Sequence, residues 1–152
     1  MLGSLPGPES LRRRQYYAQP QNAFWRIMGE LFGAGPDRPY DERLAALTAN
    51  GVALWDVCES ATRVGALDSA IEHGSVVVND FARFFRGHRQ IGLVCCNGQK
   101  AAELYRRLVL PTLPAPAAAI ERCVLPSTSP AYAALRFEAK LEAWSAVRAV
   151  AN

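Results

Sequence analysis

Short apolar runs of strand length recur along this chain with stretches of helical periodicity between them, and that alternation restricts the fold more than any other feature. A run apolar on every residue reads as a strand buried on both faces. A helix of about ten to fifteen residues between two such runs reads as a βα unit feeding a parallel sheet. The runs lie at residues 1–4, 52–55, 91–96 and 123–125. Between them, Phe24, Trp25, Ile27, Met28, Leu31 and Phe32 fall at helical spacing, with Asn22 placed to cap that helix and Gly33 to stop it. Leu44 and Leu47 mark a shorter helix that ends before Gly51. Asn79 is placed to cap a helix carrying Phe81, Phe84 and Phe85. The Asn97-Gly98 turn leads into a helix whose Ala101, Leu104, Tyr105 and Leu108 face inward, closed by a Pro-rich stretch over 111–116. Phe137, Leu141, Trp144 and Val147 form the buried stripe of a last helix. Residues 58–78 carry no strong period, and the segment LPGPES after Ser4 reads as a loop.

The fold expected from this order is α/β: a three-layer α/β/α sandwich with a central, mainly parallel sheet, formed as a single domain over residues 1–152. Half of the residues are apolar, enough to bury a core at this length without disulfides or metals. The first run holds only two large apolar residues before the Pro/Gly loop, so a truncated first strand or a wrongly assigned start codon is expected. No stretch of eighteen apolar residues exists and the first ten residues lack the basic-then-apolar layout of a secretory signal, so a cytoplasmic monomer with no membrane association is expected. Cys58, Cys95, Cys96 and Cys123 contain no CxxC pair, and adjacent Cys95 and Cys96 point to opposite faces of a strand; they read as reduced core residues, with no metal. A net charge of +3 is too small for a protein that coats nucleic acid by charge alone, so any such contact has to be local. Arg12, Arg13 and Arg14 are the candidate patch, or else a solvated loop end.

In open parallel sheets, ligands bind outside the carboxyl ends of the strands, which directs attention to the loops after Ser4, Trp55, Cys96 and Leu125. Gly3-Ser4-Leu5-Pro6-Gly7, followed by Tyr16-Tyr17-Ala18-Gln19-Pro20-Gln21-Asn22-Ala23-Phe24-Trp25, resembles the first motif of the uracil-DNA glycosylase superfamily, and most of all its hypoxanthine-DNA (deoxyinosine) branch. Leu125-Pro126-Ser127-Thr128-Ser129-Pro130 stands in the place of the second motif. The resemblance implies a monofunctional DNA glycosylase that flips a deaminated base, hypoxanthine or uracil, out of DNA and hydrolyses its glycosidic bond with water and no cofactor. Such cleavage builds positive charge on the sugar and negative charge on the departing base. The site therefore has to aim hydrogen-bond donors at the base and hold a water below the sugar.

On that resemblance Asn22 positions the water, although its side-chain oxygen is also the one that a helix cap would use. Ser4 bonds a water or the base, or else its own loop backbone, and Gly3 and Leu5 beside it are assigned to the base. Tyr17 matches the aromatic on which relatives stack the flipped base. Asp56 stands where several relatives read the base with an Asn; it accepts the ring N–H of the base, or else caps Ser60 or the following turn. Ser127, Thr128 and Ser129, fixed between prolines, are suited to phosphates, as Arg12 and Arg13 are by charge, and Tyr132 to filling the gap that a flipped base leaves. Two positions depart from the family pattern: Gln19 replaces a His, and Leu125 stands where several branches have a His that stabilises the departing base. A DNA- or nucleotide-binding domain that kept the fold with weakened catalysis is the alternative these departures leave open.

Overall fold

The computed structural model describes residues 1–149. Its elements in chain order are β1 (Leu2–Gly3), α1 (Pro8–Arg13), α2 (Phe24–Phe32), α3 (Tyr40–Ala49), β2 (Trp55–Asp56), β3 (Cys58–Ser60), β4 (Val77–Val78), α4 (Phe81–Gly87), β5 (Leu93–Asn97), α5 (Gln99–Leu104), α6 (Ala115–Ala118), β6 (Glu121–Leu125) and α7 (Phe137–Ser145). The chain divides into two compact units, one made of Met1–Leu5 with Trp55–Val124, the other of Pro6–Leu54 with the described residues from Leu125 onward.

The first unit is built on a four-stranded sheet in the order β2-β1-β5-β6. β1 is parallel to both of its neighbours, with Leu2 level with Trp55 and Cys96 and Gly3 level with Asp56. The sheet is therefore mainly parallel and flanked by helices, as the alternation of apolar runs predicts. Of the expected 52–55 strand only Trp55 joins the ladder, together with Asp56 beyond it, because β1 is two residues long and offers no further partners. One side of the sheet packs on Val57, Ile71, Phe81, Phe85, Leu104 and Tyr105, which with Leu2 and Cys96 form a continuous apolar core. Trp55 stacks on Phe84 with ring centroids 4.5 Å apart, and Phe81 meets Tyr105 edge-on at 5.4 Å.

Several local expectations are corrected here. The segment 58–78 contains an antiparallel pair, β3 with β4, whose register shifts between Cys58 and Ser60, so no strict alternation is there to be read. Asp80, not Asn79, caps α4, its carboxylate accepting the Arg83 N–H at 2.9 Å; Asn79 instead donates its side-chain amide to the Asp56 carbonyl at 2.8 Å. After α5 the helix widens into a π turn over Tyr105–Val109, and the extra residue in the turn puts Val109 in the core while Leu108 is exposed. The stretch 111–116 holds a 3-10 turn, Leu110–Thr112, and the start of α6.

In the second unit, α2 packs against α3 and α7, burying Phe24, Ile27, Met28, Leu47 and Trp144 almost completely. Gly33 ends α2 in the left-handed conformation (φ 67°) expected of a helix-stop glycine. The LPGPES segment is not a loop throughout, since Pro8 opens α1, where a missing N–H removes no helical bond, and Glu9 lies in its first turn with Arg12 and Arg13 in its last. On α7, Trp144 and the following Val147 are buried as expected, but Phe137 and Leu141 are half-buried and Lys140 is buried in their stead.

Candidate functional site

At the carboxyl edge of the sheet, β1, β2 and β5 end level with one another, which brings Ser4, Asp56 and Asn97 to one edge of the first unit, each of them buried. The backbone there is tightly held, with Val57 N–H donating to the Gly3 carbonyl and Cys58 N–H to the Ser4 carbonyl, both at 2.9 Å. Gly3 thus serves in the ladder, and Leu5 is half-buried against the core with its carbonyl accepting from Arg63 Nη1 at 3.5 Å.

The Ser4 hydroxyl does not bond its own loop. It donates to Asp68 Oδ2 at 2.6 Å, a partner 64 residues away, and Asp68 Oδ1 in turn accepts from Arg63 Nη1 at 3.5 Å. Sequence reading missed Asp68 and Arg63, which stand in a segment without period; the only signal they leave there is their charge. Asp56 does not cap Ser60 or the next turn either: the residue is 8% exposed, and its main-chain carbonyl accepts from Asn79 Nδ2 at 2.8 Å. Burial, reinforced by the nearby negative charge of Asp68 and opposed by Arg63, pushes its pKa up to about 6. Near pH 6 this group changes from a donor to a pure acceptor.

The second unit holds the other candidates. Tyr17 has a left-handed backbone (φ 53°), an uncommon state for a residue with a side chain, and its ring stacks on Phe24 at 3.9 Å with 24° between planes. Phe24 meets Trp25 and Trp144 edge-on, so the phenol rests on a braced aromatic platform. The loop entering it is pinned by Tyr16, whose N–H donates to Tyr40 Oη at 2.9 Å and whose carbonyl accepts from Trp25 Nε1 at 2.8 Å. Asn22 precedes the capping position of α2, which is Ala23, and its Oδ1 accepts the Phe24 N–H at 3.0 Å. An amide oxygen has two lone pairs, so this local bond leaves one for a water, and the two expected roles of Asn22 do not exclude each other.

Beyond the β6 end, Ala23 N–H donates to the Thr128 carbonyl at 3.0 Å. Thr128 is only 1% exposed, which takes its side chain away from the surface that a phosphate ligand needs. Ser127 Oγ accepts from Ser129 N–H and Ser129 Oγ from Ala131 N–H, each at 3.2 Å, and Tyr132 is exposed. Glu9 bonds both Arg12 and Arg13, so the arginine patch carries less charge than its three residues suggest. Gln19 sends its amide nitrogen to within 3.4 Å of Gln21 Oε1, while its own buried Oε1 has no hydrogen-bond partner among the described residues. No three His, Cys, Asp or Glu side chains among the described residues converge as a metal site.

A hypoxanthine DNA glycosylase of Methanosarcina acetivorans is 41% identical over 104 residues, 68% of this chain and 65% of the relative. One of Methanosarcina barkeri is 38% identical over the same shares. The matched region thus spans just under two thirds of the length of these relatives. The solution NMR structure of a proposed uracil DNA glycosylase from Methanosarcina acetivorans superposes with a TM-score of 0.76 at 36% identity, covering 97% of this chain and 86% of that one. No helix among the described residues is long and apolar enough to cross a membrane. With its sheet edge, its aromatic loop and its Ser/Thr turn all inside a family match that runs over residues 1–148, the chain belongs to the uracil DNA glycosylase superfamily.

Proposed function

We propose that this protein is a monofunctional DNA glycosylase that removes hypoxanthine, or uracil, from DNA by hydrolysis, working as a monomer in the cytoplasm, with residues 1–152 as one glycosylase domain. The observation that carries the reading is Asp56, a residue only 8% exposed at the carboxyl edge of a parallel sheet, whose pKa burial and the nearby charge of Asp68 push up to about 6. Burying a carboxylate near a second negative charge is costly, and perturbed groups of this kind cluster where ligands bind. The ring N–H that hypoxanthine and uracil share suits an ionised carboxylate. Asn22 holds the water through its second lone pair, Tyr17 on its aromatic platform stacks the flipped base, and Ser4, oriented by Asp68, offers its remaining lone pairs. Gly3 and Leu5 shape the loop against the base, while Arg12, Arg13, Ser127, Ser129 and Tyr132 meet the DNA strand. Water is the nucleophile: the chain's two lysines, Lys100 and Lys140, both lie outside the matched motifs, which leaves none there for a Schiff base.

A panel of end-labelled oligonucleotides, each with one deaminated base, tests this directly: incubation followed by alkali cuts the strand wherever a base has been removed. Breaks are expected on deoxyinosine and deoxyuridine. The unpaired Gln19 oxygen, in place of an imidazole, favours the second reading of a weakened enzyme that retains DNA binding. Binding to deoxyinosine DNA with no breaks after long incubation at high enzyme would establish that reading and sink the first.

A further inference from the structure

We propose that Lys140 is a positioning residue for DNA capture, its buried ammonium bracing the Ser129–Tyr132 turn from below and holding an uncompensated positive charge there for a DNA phosphodiester. The inference rests on the glycosylase reading and adds to it a residue that no motif contains. Lys140 lies in the first turns of α7, where the helix dipole disfavours a cation, and it is only 5% exposed. Among the described residues no carboxylate comes within ion-pair reach of it. Its Nζ donates to the Tyr132 carbonyl at 2.8 Å and the Ser129 carbonyl at 3.5 Å, and stands 5.3 Å from the centre of the Tyr132 ring. The Ser129 carbonyl also accepts the Tyr132 N–H at 3.0 Å, so a single ammonium closes the turn at both ends. Burial alone pushes the Lys140 pKa down, and no neighbouring charge opposes that push.

A buried lysine without an anion is rare, because a Leu or Met would fill the same space without the cost of desolvating a charge. Two consequences follow if the charge has a use. The Ser/Thr turn, with the exposed Tyr132 at its end, is held in one conformation before DNA arrives, which reduces the ordering cost of binding. The ammonium, held against the turn with no carboxylate within ion-pair reach, attracts a phosphate more strongly than a cation already paired with an acid does.

The test compares the parent with Lys140→Met and Lys140→Arg, measuring affinity for an abasic oligonucleotide by fluorescence anisotropy across a salt series, together with KM and kcat on deoxyinosine DNA. Lys140→Met is expected to weaken binding about tenfold and to flatten the plot of log K against log salt by about one, with the loss falling more in KM than in kcat. Lys140→Arg is expected to keep the parent's slope. A Lys140→Met variant with the parent's affinity and slope overturns the proposal, as does an arginine variant as flat as the methionine one. Should Lys140→Met not fold, the titration of the Lys140 side chain in the parent, followed by NMR, decides instead: its pKa is expected to rise when abasic DNA binds, and an unchanged value overturns the idea. A parent that binds abasic DNA but cleaves nothing sinks the glycosylase reading and leaves this test readable; one that binds no DNA overturns both.

Discussion

Replacing Asp56 by Asn tests the electrostatics of the sheet edge with almost no change in shape. In the folded protein burial lifts the Asp56 pKa from 3.8 to about 6. At about 1.4 kcal/mol for each tenfold change in proton affinity, the ionised folded state carries a penalty of about 3 kcal/mol. The sign follows from where protons are bound. Between pH 4 and 6 the folded chain holds a proton that the unfolded chain has released, so the contribution of Asp56 to stability is fully present below about pH 4 and is lost as pH rises through about 6. Urea denaturation of parent and Asp56→Asn, side by side at pH 4 and pH 8, isolates this group, because Glu9 and Glu103, whose pKa values are lowered by arginine and lysine partners, are common to both proteins. The variant should match the parent at pH 4 and exceed it by up to about 3 kcal/mol at pH 8. In cleavage assays the parent's rate should rise with pH through about 6, as the carboxylate ionises to accept a ring N–H, and the variant should lack that limb. An equal stability difference at both pH values, or an Asp56 resonance titrating near 4, would refute the reasoning.

Asn22→Ala should cost about 1 kcal/mol of stability through loss of the Phe24 bond. It should also lower single-turnover cleavage about 10²-fold, with Asn22→Asp retaining part of the rate; a stable alanine variant cutting at the parent rate removes Asn22 from the mechanism. Asp68→Asn should lower the Asp56 pKa while leaving it above 3.8, because burial is its larger cause, and an Asp56 titration curve identical to the parent's would show that the two carboxylates do not interact. Gly29→Ala should destabilise the protein by about 1–3 kcal/mol, since its Cβ would lie 2.9 Å from the Gly35 backbone; an unchanged melting temperature would mean that the α2–Gly35 contact yields freely.

The sequence by itself determined the α/β class, the parallel sheet and the apolar helix stripe Phe24-Ile27-Met28-Leu31, because periodicity records which face of an element is buried. It also led us to expect Ser4, Asp56, Asn97 and Leu125 at one edge, since a βα order puts every strand end on the same side, and the β1 ladders bear this out for the first three. Family resemblance supplied Asn22 and Tyr17, whose residue types alone would equally describe a cap and a loop aromatic. Tertiary structure decided the rest. The bond from Ser4 to Asp68 spans 64 residues and leaves no local pattern, and the exchange of Leu108 for Val109 depends on one extra residue in a helical turn. Asp56 could be seen from sequence but not its burial near the charge of Asp68, and Lys140 reads as an ordinary surface lysine until its burial is known. Periodicity reports the average solvation of a face. The partners of a single polar atom depend on which distant segments meet there, and only the folded chain fixes that.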